Sequence, residues 1–401
     1  MTIIARRLKA AREAAELTQR QLSDQLGFKD RQTVAAIEAG NRKVSAEELI
    51  KIMKILDRDL EYFTDPYRLD GEGTFSWRSA SGADQVMNDF ELRAGRWLAL
   101  YRSLVQDEEG NAPRTSPLGL NLTARSSYED AHRAADWLAG EWQLGNQPAL
   151  KLEDAIRNRL RALVLHVDAP QGISGAAFQL PEFNAILVNR TEPEGRRNFD
   201  LAHELFHLLT WETIRPAHTE TGMLNPKGRP EQLANCFASS LLMPERIIRE
   251  RLVGDNDTTI HEEPRRGTHD WATTFHAHIS DGHETPLRHP HPRMNNKSVW
   301  RSWLNDNAWE LRVSTPALQW RMVQLGLMTK DHVDNELDWF NERGKAVSPP
   351  AHFSADFVRA LHNGLAAGKL SVRRAATLLD MSIDDLAALF TQYKLDVPFD
   401  I

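Results

Sequence analysis

The 401 residues are 41% hydrophobic and 26% charged, as in folded soluble domains, and the length implies roughly two to four of them. No apolar run approaches the roughly 18 residues of a membrane span. No basic-then-apolar leader opens the chain, and the one cysteine, Cys236, excludes an intramolecular disulfide and suits a reducing cytoplasm. A net charge of −7 argues against wholesale coating of nucleic acid, though not against a local basic surface. With a single thiol, any metal site must use His, Asp or Glu.

Residues 1–66 read as helix after helix with short breaks. Leu8 and Ala11 open an apolar stripe that ends at Leu17. Thr18 stands where an N-cap belongs, with Gln21 three residues on as its capping-box partner, and Gly27 stops that helix. Asp30 caps a third helix carrying Val34 and Ile37 and ended by Gly40, and Ser45 caps a fourth. Two short helices about a glycine-containing turn are the layout of a helix-turn-helix. Up to residue 43 there are nine Lys/Arg against five Asp/Glu. In that layout Arg31, Gln32 and Thr33 open the recognition helix, where Gln pairs with adenine and Arg with guanine; Arg6, Arg20, Lys29, Arg42 and Lys43 are placed for phosphates. A small helical bundle for protein contact is the alternative. The run "LTQRQLSDQLGFKDRQTVAAIEAG" resembles the XRE/Cro-type repressor family over residues 3–63, which implies an operator as partner.

Residues 67–80 read as a linker or a short strand pair. Residues 83–106 carry Phe90, Trp97, Leu98 and Leu104 at helical spacing, 107–117 is a turn-rich connection, and 126–145 and 151–160 are further helices. The texture then changes: 162–168, 174–180 and 184–190 are short and β-prone, and predict a small antiparallel sheet.

The next helix contains "NFDLAHELFHLLTWE", residues 198–212. His203 and His207, one turn apart, can hold one ion from the same side, and Glu204 stands beside the first as a general base. Two histidines leave such a site one ligand short, and a core helix with two hydrogen-bonded histidines is the competing reading. Downstream, "EQLANCFASSLLMP" (231–244) predicts a second apolar helix whose first turn offers Glu231, with Asn235 one turn on. A carboxylate from that helix would complete a His-His-Glu site.

HELFH followed by that second segment resembles the ImmA/IrrE family of zinc metallopeptidases over about residues 130–250. The resemblance implies His203, His207 and Glu231 as ligands of Zn2+ (Mn2+ being the other candidate), Glu204 as the base, and a helix-turn-helix repressor as the substrate. His218 is the nearest loop candidate for an oxyanion donor, with a solvated histidine as the other reading.

Seven of the fifteen histidines fall in 261–291, where irregular spacing and "RHPHP" favour a polar loop or insertion over a second metal site. Residues 300–329 and 360–395 resume helical periodicity in two pairs that are weakly helix-turn-helix-like. Arg373 and Arg374 of the second suit DNA, and a protein partner fits equally. The expected fold is mainly α with a small antiparallel sheet: a helix-turn-helix domain at 1–66, a linker and helix at 67–125, a zincin-like peptidase at 126–255, the His/Pro-rich loop at 256–299 and a helical region at 300–401. The expected function is a cytoplasmic, DNA-binding zinc endopeptidase, a possible homodimer, that cleaves a repressor. A regulator or antitoxin using the peptidase fold as a sensor is the alternative.

Overall fold

In the computed structural model, residues 3–28, 30, 32–69, 73–79, 84–105, 119–180, 183–221, 228–253, 297–334 and 348–399 are described. The turn-rich 107–117 and the His-rich 261–291 lie outside them. Five short helices open the chain: α1 (Ile3–Ala14), α2 (Gln19–Leu26), α3 (Gln32–Glu38), α4 (Ala46–Leu56) and α5 (Leu60–Thr64). The predicted capping box of Thr18 with Gln21 is present on α2, and Ser45 caps α4 as expected, there forming a second box with Glu48. Gly27 ends α2 at φ 74°, where a Cβ would be strained. Leu8, Leu22, Val34, Ile37, Ile52 and Phe63 form a core separate from the rest of the protein. Buried Arg12 fastens α1 to α3 through Glu38 (2.6 Å), and Gln19 adds a second bond to that carboxylate (2.7 Å).

The sheet has five strands: β1 (Thr74–Ser79), β2 (Leu163–Val167), β3 (Ile173–Gln179), β4 (Asn184–Asn189) and β5 (Thr219–Thr221), in the order β2-β4-β3-β1-β5. It is mixed, which corrects the antiparallel expectation. β1 with β3 and β3 with β4 run antiparallel, whereas β2 with β4 and β1 with β5 run parallel. Alternating hydrophobicity reports which face a residue takes, not the direction of the neighbouring strand, so the parallel pairs left no signal. The segment 67–80 supplies one strand that pairs with two distant ones.

Helices cover both faces. α7 (Tyr128–Glu141), α8 (Pro148–Ala155, continued by a π turn to Leu160), α9 (Glu194–Thr210), α10 (Arg229–Leu242), α11 (Glu245–Val253), α12 (Lys297–Leu311) and α13 (Thr315–Gln324) share one core with Val164, Ala177, Ile186 and Val188. On the other face, Phe75, Trp77, Leu165, Phe178 and Leu187 pack with α6 (Asp84–Val105), α14 (Ala355–Ala366), α15 (Val372–Leu379) and α16 (Ile383–Gln392). Residues expected as linker and as C-terminal region therefore share cores with the sheet. Arg374, weighed above for DNA, bonds Asp65 at 3.0 Å and lies over the Tyr67 ring, which ties α15 back to the end of the first five helices. Among the described residues, no helix is long and apolar enough to cross a membrane.

Candidate metal centre

From Asp200 to Thr210 every residue of α9 is buried, because the helix lies between the sheet and α10. Asp200, His203, Glu204 and His207 recur at helical spacing and make one polar stripe on it. α10 starts with Pro230 at its first turn and presents Glu231 there, where the helix dipole favours a carboxylate. Arg229 pins that end: it donates to the Ser126 carbonyl (2.7 Å) and stacks on Tyr128, whose hydroxyl bonds Gln232.

The two helices bring the three expected ligands together. Glu231 Oε2 lies 3.0 Å from His203 Nε2 and Glu231 Oε1 lies 3.1 Å from His207 Nε2, while the two Nε2 atoms are 3.1 Å apart. Tetrahedral zinc with bonds of about 2.0–2.2 Å sets its ligands roughly 3.3–3.6 Å apart, so the donors need spread by only a few tenths of an ångström. His203 Nδ1 lies 2.9 Å from Asn235 Oδ1, an acceptor that suits a proton on Nδ1, the tautomer that leaves the Nε2 lone pair for an ion. His203, His207 and Glu231 form the one group of three or more metal-type side chains among the described residues. The donor set fits a divalent ion.

Burial governs the charges. His203, Glu204 and His207 are each 1% exposed. Burial, aided by the positive Arg78, pushes His203 down to about 4 and keeps it neutral, the form a metal ligand requires. The same desolvation pushes the Glu204 carboxyl well above the usual range, with Arg78 opposing it. Glu204 Oε1 is buried with no hydrogen-bond partner among the described residues. Gly175 of β3 faces this side chain and lies close against β4. A Cβ there would lie 3.5 Å from Glu204 Cγ and 2.9 Å from the Leu187 carbonyl oxygen.

Two stretches of the chain match known families: residues 8–63 a helix-turn-helix, and residues 158–276 an IrrE N-terminal-like domain of a peptidase family. The chain fuses these two domains. No curated protein and no solved structure matches it. All four residues singled out on α9 and α10 fall inside the IrrE N-terminal-like match.

On the helix-turn-helix domain, Arg20 is exposed 3.9 Å from Asp24, Gln32 is exposed and Thr33 half-buried at the start of α3, and Lys43 is exposed. Arg42 is exposed but bonded to Glu48 (2.7 Å), and Arg6 is half-buried on α1. Lys29 and Arg31 lie outside the described residues. His218 bonds Glu91 of α6 at 2.8 Å, on the far side of the sheet from α9, so it does not serve as the oxyanion donor.

Sequence reasoning missed Asp200, Arg196, Glu192, Ser174 and Arg78. A bulge between Arg78 and Ser79 turns Ser174 towards α9, where it bonds Glu192 (2.8 Å) and Arg196 (3.2 Å). Arg196 and Arg78 both hold Asp200, at 3.2 and 2.5 Å. Burial, with Asp200 adding to it, pushes Glu192 up to about 7. Asp200 was legible as a member of the α9 stripe. Arg78 sits 122 residues away and left no local signal.

Proposed function

We propose that this DNA-binding regulator carries a working zinc-type endopeptidase centre in its IrrE N-terminal-like domain. Its substrate is a helix-turn-helix repressor or a similar protein, and cleavage switches on a stress, phage-defence or mobile-element response in the cytoplasm. The supporting observation is the convergence of His203, His207 and Glu231 within reach of one ion, with Glu204 beside them. Zinc or manganese held by the three would supply Lewis-acid chemistry at neutral pH. Glu204 takes the proton of the attacking water and returns it to the leaving amine. Residues 1–66 place the protein on an operator through Arg20, Lys29, Arg31, Gln32, Thr33, Arg42 and Lys43, and a homodimer would read two half-sites. The peptidase unit is centred on 126–255, with 67–125 and 300–401 as its supports.

The test is incubation of the zinc-loaded protein and of Glu204→Gln with repressors encoded nearby. Cleavage by the wild type alone supports the reading, and identical inertness of both refutes it. One observation favours a second reading, a sensor or antitoxin that uses the peptidase fold without turnover: at 1% exposure the three α9 side chains are sealed from a peptide backbone. Metal that binds stoichiometrically and alters DNA affinity, with no cleavage in any arm, would select it.

A further inference from the structure

We propose that Arg78 is a positioning residue that selects the tautomer of His203 through the side-chain amide of Asn235. The proposal rests on the metal-site reading above. Arg78 stands on β1, outside both family matches, and its side chain is 5% exposed. It faces α9, with its guanidinium 5.5 Å from the Phe199 ring centroid. Towards α9 it meets two acceptors among the described residues, Asp200 Oδ1 at 2.5 Å and Asn235 Oδ1 at 3.5 Å.

A guanidinium can only donate, whereas an Asn amide can present either its oxygen or its NH2. Opposite Arg78, the oxygen is attracted and the NH2 repelled, so the amide is held with Oδ1 inward. That same oxygen lies 2.9 Å from His203 Nδ1. Glu231 Oε2, 3.0 Å from Nε2, is an acceptor too, so the ring proton has a partner at either nitrogen, and an inward Oδ1 is what lets it sit on Nδ1 and frees the Nε2 lone pair for an ion. With the amide reversed, its NH2 would donate to Nδ1, the proton would move to Nε2, and the ligand lone pair would be lost. Asp200 holds Arg78 in place and is itself held by Arg196. A strand upstream of the matched peptidase-family domain thereby decides whether one of its ligands can bind.

The test compares full-length wild type, Arg78→Gln, Arg78→Lys, Arg78→Gln/Asp200→Asn and His203→Ala. The double variant removes a buried charge together with its partner, which keeps a foldable protein should the single variant leave Asp200 uncompensated. Zn2+ affinity is measured by chelator competition, the Co2+ absorption spectrum reports ligand geometry, and 15N shifts of the His203 ring in metal-free protein report the tautomer. Wild type should show Nδ1–H. The double variant should lose that preference, bind Zn2+ 10–100-fold more weakly and shift its Co2+ spectrum, with Arg78→Lys intermediate. A double variant that keeps the Nδ1–H tautomer and wild-type affinity overturns the proposal and leaves the metal site standing. If wild type binds Zn2+ no better than His203→Ala, the metal reading fails instead, while the 15N comparison still decides the role of Arg78.

Discussion

Gly175→Ala tests whether the close approach of β3 to β4 beneath the centre requires glycine. Gly175 pairs with Val188 of β4 and Arg78 of β1, so its backbone is held on both sides. An added Cβ would stand 2.9 Å from the Leu187 carbonyl oxygen, with Glu204 Cγ at 3.5 Å beyond it. The second contact is ordinary; the first requires β3 and β4 to part by a few tenths of an ångström in the middle of a hydrogen-bonded ladder. Overpacking of this kind costs about 1–3 kcal/mol. The lower entropy of an unfolded alanine returns roughly 0.4–1 kcal/mol, leaving a net loss of about 1–2 kcal/mol. At roughly 2–4 °C per kcal/mol for a body of this size, the thermal midpoint should fall by about 2–8 °C. Gly140→Ala is the control: it lies on α7 with nothing within 4 Å of its Cβ, and should gain up to about 1 kcal/mol. Urea midpoints and thermal scans followed by tryptophan fluorescence give both values. A Gly175→Ala protein as stable as wild type, beside a stabilised Gly140→Ala, would refute the argument that glycine is required at this strand crossing.

In the helix-turn-helix domain, Glu38→Ala takes the buried carboxylate from Arg12, leaving it exposed Glu13 (3.2 Å) and the Leu17 carbonyl (2.7 Å), and should cost up to about 3 kcal/mol, enough to unfold or nearly unfold a bundle of this size while the sheet-centred cores persist. Two thermal transitions resolved by calorimetry, with only the first lost, would be the signature. Arg20→Ala and Lys43→Ala should each reduce the slope of log K against log salt on a mixed-sequence duplex by about 0.9, and unchanged slopes would take those residues off the phosphates. His132 accepts from Arg321 at 3.0 Å, and burial, with Arg321 adding to it, pushes it down to about 4. The unfolded chain protonates this ring near pH 6.5 and the folded one does not, so its contribution is present above pH 6.5 and lost as pH falls towards 4. Discounted for solvent at its exposed edge, that is about 1–2 kcal/mol, and His132→Gln should flatten the acid limb of a stability–pH profile by this amount.

What could be read along the chain is what local chemistry writes there. Thr18 with Gln21, Ser45 with Glu48 and Ser382 with Asp385 satisfy helix-end donors within four residues, so the caps appear in sequence as they do in the fold. The α9 stripe follows the same rule, since His203 and His207 are neighbours by helical pitch alone. Glu231 needed a second helix, and its place in a first turn made it a candidate before any packing was known. The parallel pairing of β2 with β4 and the entry of β1 beside β3 depend on chain closure over distances that periodicity does not encode. Arg78 belongs to that second class, and this explains its position in the argument. A buried arginine on a strand reads locally as an odd polar residue beside Trp77, and the approach of Asp200 and Asn235 helps convert it from a desolvation cost into a bound cation. The three candidate ligands thus lie on two helices, while the residue proposed to orient one of them stands on a strand that neither helix contains.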